Sequence, residues 1–157
     1  MVKIKLPLLI TYWLTIISAM ALNITPWIPP FLMVVPDWVL LTLIYWALAA
    51  PETASVGKAW LVGLLVDVLT GQLLGQYALA YAVGVFLSVK QHKRIRHYPI
   101  IQQSLAVCII LLFARVIIFW TENINHQAVP MDFWLPVLTG ALVWPVVSRT
   151  LRKIRGL

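Results

Sequence analysis

Charge is what this sequence has least of: Asp, Glu, Lys and Arg make up 11% of its 157 residues, where a soluble globular domain carries about 25%. A chain so poor in charge is not built to fold in water. The five carboxylates stand scattered at separate boundaries, so no acid, base and nucleophile converge and no catalytic residue is expected. Of the three histidines, His92 and His97 share a cationic loop and His126 stands alone. That spacing makes no metal site, and no phosphate-cradling loop implies a cofactor. The single cysteine, Cys108, lies within an apolar run and excludes an intrachain disulfide.

Apolar residues fill the space that charge leaves. They form 62% of the chain, whose mean hydropathy is +0.92, and they occur in runs suited to helices of about 17 to 25 residues. An all-α polytopic membrane protein is predicted, with residues 1–157 forming one transmembrane domain. The first span is read at 6–22. Lys3 and Lys5 precede it, and Ala19-Met20-Ala21 looks like a signal cleavage site, but the apolar stretch is longer than a usual signal core and a retained helix is expected. Pro26, Pro29 and Pro30 then force a turn. Further spans are read at 31–50, 57–70, 73–89, 99–120 and 133–148, with the third and fourth forming a hairpin that turns near Thr70, Gly71 and Gln72.

Charge placement chooses six spans over five. Lys3, Lys5 and Lys58 precede the hairpin, Lys90, Lys93, Arg94 and Arg96 follow it, and Arg149, Arg152, Lys153 and Arg155 end the chain. With six spans, eleven of the twelve basic residues share one side, which the positive-inside rule makes the cytoplasm, along with both termini. Only Arg115 is left over. Trp27, Trp38, Trp120 and Trp134 fall at predicted outer ends and Trp60 and Trp144 near inner ends, where indoles favour the interface. The net charge of +7 therefore reads as orientation and contact with anionic lipid, and no nucleic-acid partner is expected.

Few polar residues lie within the spans. Asp67 and Arg115 each cost at least about 2.5 kcal/mol on insertion scales if placed at a helix centre. Either they pair across the third and fifth spans, or Arg115 snorkels to outer headgroups while Asp67 is wetted at the hairpin tip. Asp37, after Pro36 and before Trp38, is placed to cap a helix. Gly63, Asp67, Gly71 and Gly75 recur every four residues. Turn chemistry is expected at Gly71, and helix contact at Gly63 and Gly75. The Lys90–Arg96 and Arg149–Arg155 clusters offer a basic cytoplasmic surface for lipids or partners. Pro145 is expected to kink the last span.

Taken together, these residues resemble the MreD family of rod shape-determining proteins over essentially the whole chain. Pro36-Asp37-Trp38-Val39-Leu40-Leu41 leading to Tyr45-Trp46 and Pro51 is similar to the family's second span. Val56-Gly57 with Gly63, Asp67, Gly71, Leu74-Gly75 and Ala78-Leu79 resembles its most recognisable stretch, and Phe119-Trp120, Glu122 and Leu142-Val143-Trp144-Pro145 match later landmarks. Arg115 lies outside that pattern. The resemblance implies a non-enzymatic scaffold of the cell-elongation complex in the bacterial inner membrane. It would bind MreC and join MreB, RodA and penicillin-binding protein 2, using helix faces and the outer rim around Asp37, Trp38 and Asp67. It also implies a bundle similar to the substrate-capturing S-components of energy-coupling-factor transporters, which makes a vitamin-type binding subunit the competing reading. A lipid-handling enzyme would need paired intramembrane carboxylates or histidines, which the sequence does not provide.

Overall fold

Six α-helices account for most of the described residues: α1 (Leu6–Ile24), α2 (Trp38–Ala49), α3 (Val56–Thr70), α4 (Gln76–Ile95), α5 (Ile100–Ile124) and α6 (Leu135–Gly156). The computed structural model describes residues 6–126 and 128–156, so Lys3 and Lys5 lie outside the described residues. Short 3-10 turns at Phe31–Met33 and Met131–Trp134 precede α2 and α6. Proline sets many of the boundaries. Pro36 precedes the capping residue of α2, Pro51 follows α2, and Pro99 stands immediately before α5, positions where its fixed φ and missing N–H do least harm.

The helix bounds depart from the expected spans chiefly at four places. Residues 31–37 form the 3-10 turn and an extended approach, and helix α2 begins only at Trp38. Helix α4 begins at Gln76 and runs to Ile95, so that Lys90, Lys93 and Arg94, expected in a loop, are helical residues. Helix α5 runs on to Ile124. Helix α6 continues through Pro145 to Gly156, carrying Arg149, Arg152, Lys153 and Arg155 as helical residues. Lysine and arginine are good helix formers and are favoured near the negative C-terminal end of the helix dipole, so the basic tail extends the helix.

Helix α2 occupies the middle of the bundle. Every residue from Val39 to Leu48 is buried, as expected for a helix that is apolar all round. It lies against α1, α4 and α6, while α3 packs on α4, α4 on α5 and α5 on α6. Because lipid is as apolar as a leucine side chain, close contact has to supply much of the association energy, and small residues allow it. A Cβ added at Gly63 would fall 2.6 Å from the Ala78 backbone nitrogen, and one at Gly140 would fall 2.7 Å from Leu111 Cδ1.

The outward faces carry large apolar side chains. Leu14 and Ile17 on α1, Leu65 and Val68 on α3, Ile101 and Ile109 on α5, and Leu142 and Val146 on α6 are all exposed. Water would not tolerate so extensive an apolar surface. The segments Pro7–Ile24, Phe31–Ala49, Ile100–Ile124 and Met131–Gly156 are long and apolar enough to cross a membrane. The shorter α3, with 15 residues, and the cation-ended α4 complete the helical bundle.

Candidate functional site

Polar side chains gather at the two opposite ends of the bundle. At one end, the last turn of α3 brings Asp67 against the start of α4. Its carboxylate accepts hydrogen bonds from the N–H groups of Gly75 (2.9 Å), Tyr77 (2.9 Å) and Ala78 (3.3 Å), and it is fully buried. Helix starts leave such donors unpaired, and the dipole there favours a negative charge. The Asp67 carbonyl also accepts from the N–H groups of Gly71 and Gln72. One residue therefore closes both sides of the turn. Gly71 and Gly75 adopt φ of +65° and +101°, values open to glycine without a Cβ penalty. This corrects the expectation of helix contact at Gly75, since nothing lies within 4 Å of a Cβ placed there; of Gly63, Gly71 and Gly75, it is Gly63 that makes the close approach.

Asp37 caps α2, accepting from the Leu40 N–H at 3.1 Å. It does more than cap. The Tyr81 hydroxyl on α4 lies 2.9 and 2.8 Å from its two oxygens, and Asn23 at the end of α1 donates to it at 3.1 Å while accepting from the Trp38 N–H. Asp37 thus ties α1, α2 and α4 together. Arg115 on α5 donates from Nε to the Phe133 carbonyl at 2.9 Å and stacks 4.1 Å from the centroid of that ring. Asp67 is buried and bonded to backbone, neither paired with Arg115 nor wetted at the hairpin tip, while Arg115 bonds through Nε to the turn preceding α6. Arg115 instead lines a cavity of about 200 Å³ together with Asp37 and Asn23. Gln76 and Glu122 complete this end, 3.4 Å apart.

The opposite end is basic. Lys58 donates to the Thr53 carbonyl at 2.8 Å, and Arg155 donates to that of Ala49 at 3.0 Å, joining α6 to the end of α2. Gln103 accepts from Trp144 Nε1 at 3.1 Å and donates to the Ile95 carbonyl at 3.3 Å. Trp144 is therefore a core residue and no part of an interfacial belt. Lys90, Lys93, Arg94, Arg96, Arg149, Arg152 and Lys153 are exposed. Sequence reasoning missed Asn23, Tyr81 and Gln103. Asn23 and Gln103 are polar residues at the edge of or inside apolar runs, and that is the signal by which they could have been found.

Between α1, α2 and α6 runs a groove of about 510 Å³, its walls including Leu14, Leu22, Trp38, Val143 and Val147. Its hydroxyls are spent inside their own helices: Thr11 on Pro7, Ser18 on Leu14, Thr42 on Trp38 and Thr150 on Val146. Thr15 donates to Tyr12 and accepts from Trp46. The groove thus presents an apolar lining. Among the described residues, no three His, Cys, Asp or Glu side chains come together to hold a metal ion.

These features define a helical membrane protein whose buried charges hold its own helices in place. Comparison with known proteins gives the family. The family model described as rod shape-determining protein MreD matches residues 3–154, and the chain belongs to that family. It is 35% identical over 153 residues to the rod shape-determining protein MreD of Haemophilus influenzae, covering 93% of each chain. No solved structure matches it. Membership assigns the chain a role in rod shape determination and places it in a structural family that is not known for catalysis.

Proposed function

We propose that this protein is a non-enzymatic scaffold of the bacterial cell-elongation complex. It crosses the inner membrane six times, with the α3–α4 hairpin supplying two of the crossings, and its basic end faces the cytoplasm. Its partner is MreC, with MreB, RodA and penicillin-binding protein 2 in the same complex that drives lateral peptidoglycan synthesis. The observation that carries this reading is the family match along residues 3–154. The geometry supports it in two ways. The carboxylates of Asp37 and Asp67 are occupied by Leu40, Tyr81 and the start of α4, which leaves them structural. The groove between α1, α2 and α6 suits a partner's membrane helix, an occupant needing contact area more than polar groups.

Asp67 has no exposed surface, so it shapes the outer rim only by holding the hairpin. Trp38, whose indole N–H is buried without a partner among the described residues, lines the groove directly. A vitamin-type binding subunit fits less well, because small-molecule pockets aim several polar groups at the ligand, whereas the hydroxyls of this groove are bonded within their own helices. A mild-detergent pull-down of tagged chain from its native membrane, with mass spectrometry for proteins and small molecules, tests the choice. Recovery of MreC and the elongation synthases without a stoichiometric small molecule is expected. An energising ATPase or a bound vitamin in their place would overturn the scaffold.

A further inference from the structure

At the basic end, the C-terminal turns of α2, α4 and α6 meet the start of α5 around a cavity of about 180 Å³. Its polar walls are Tyr45, Arg96, Gln103, Ser148, Arg152 and Arg155, and no carboxylate among the described residues lines it. We propose that this cavity binds a phosphate group, carried either by an anionic lipid headgroup or by a free phosphate.

The donors decide the ligand. Gln103 is committed to Trp144 and Ile95, and Ser148 donates to the Pro145 carbonyl at 3.1 Å. Tyr45 is 5% exposed, and its hydroxyl has no hydrogen-bond partner among the described residues. A buried hydroxyl is normally paired, and one left unpaired beside a cavity calls for an acceptor there. Arg155 is pinned by one nitrogen to the Ala49 carbonyl, which leaves its other N–H groups to reach a ligand, since a guanidinium carries five donors. Arg96 and Arg152 are exposed and stand at the rim.

Three guanidiniums, one just after α4 and two on α6, and a phenol on α2 line the cavity. A carboxylate offers two oxygens in a plane, whereas a phosphate offers oxygens on several sides and accepts from more than one arginine fork. Basic pockets between membrane helices are known to hold anionic headgroups, and Arg149 and Lys153 on the same helix as Arg152 and Arg155 would concentrate such lipids nearby. The structural alternative is that the arginines only satisfy helix-end carbonyls, as Arg155 does at Ala49. That alternative gives the unpaired Tyr45 hydroxyl nothing to do.

The test titrates the purified full-length chain, in a non-ionic detergent, separately with phosphatidylglycerol and with inorganic phosphate, and follows bound mass by native mass spectrometry. Saturable binding of at least one is expected, weakened about tenfold in R152Q/R155Q and several-fold in Y45F. The Y45F variant removes one oxygen and retains the ring, which keeps the measurement meaningful if the double variant fails to fold. K90Q/K93Q, whose side chains do not line the cavity, should bind as the unaltered chain does. Saturation by inorganic phosphate assigns a free phosphate, and saturation by phosphatidylglycerol alone assigns a headgroup. Absence of saturable binding of either, no loss in Y45F, or an equal loss in K90Q/K93Q would overturn the site.

Discussion

Asp67 illustrates how a charge can be kept within an apolar bundle without a counter-ion. Three backbone N–H groups take the place of a cation, and the positive end of α4 adds to their effect. Replacing Asp67 by Ala leaves those donors unpaired in a dry site, and should cost about 2 to 4 kcal/mol. Unfolding of the purified chain in detergent measures this, and Asp67→Asn, which keeps an acceptor oxygen, should fall between. Since Arg115 bonds instead to Phe133, the double variant Asp67→Ala, Arg115→Ala should lose the sum of the single losses within about 0.5 kcal/mol. A coupling well above that would restore the direct pair. Tyr81→Phe is the parallel test at Asp37: it strips the carboxylate of its hydroxyl donor and should cost about 1 to 3 kcal/mol.

At the scale of the element, the α3–α4 hairpin contains two kinds of glycine that the sequence spacing makes look alike. Gly63 lies against the Ala78 backbone, whereas Gly71 and Gly75 have open space where a Cβ would go and adopt positive φ. Gly71→Ala should therefore cost about 1 to 2 kcal/mol of backbone strain and leave the hairpin closed. Gly63→Ala has to push α3 away from backbone that cannot yield, and should be the more damaging. A cysteine pair across the hairpin, cross-linked in membranes, would report the separation: efficiency should fall in Gly63→Ala and hold in Gly71→Ala. A similar loss in both would mean that strain, not contact, dominates. The four-residue spacing was legible, but the change of role at Gly75 was not, because a repeat in sequence does not report where a helix stops. The proline breaks and the Asp37 cap were readable for the opposite reason, since each acts locally on the backbone.

For the whole molecule, much of the contact pattern was hidden because its faces are nearly all apolar. Amphipathic periodicity shows which side of a helix is inside when water is the other side; here lipid is, and a leucine facing lipid reads like one facing α2. Trp144 read as an interfacial residue and proved to be buried against Gln103. Charge, in contrast, remained informative because its cost depends on depth. Lys58, Lys90, Lys93, Arg94, Arg96, Arg149, Arg152, Lys153 and Arg155 sit near helix ends that meet at the face opposite Asp37 and Asp67. Positively charged flanks resist translocation, so this end should remain in the cytoplasm. A fluorescent protein fused after Leu157 should therefore fluoresce, and a phosphatase fused there should stay inactive. Changing Lys90, Lys93, Arg94 and Arg96 together to Gln removes the cations at the end of α4 but leaves those of α6. If orientation rests on the summed charge, the C-terminal phosphatase stays silent and only partner recovery falls. If it rests on the end of α4, phosphatase activity appears, and the basic surface is first of all an orienting device.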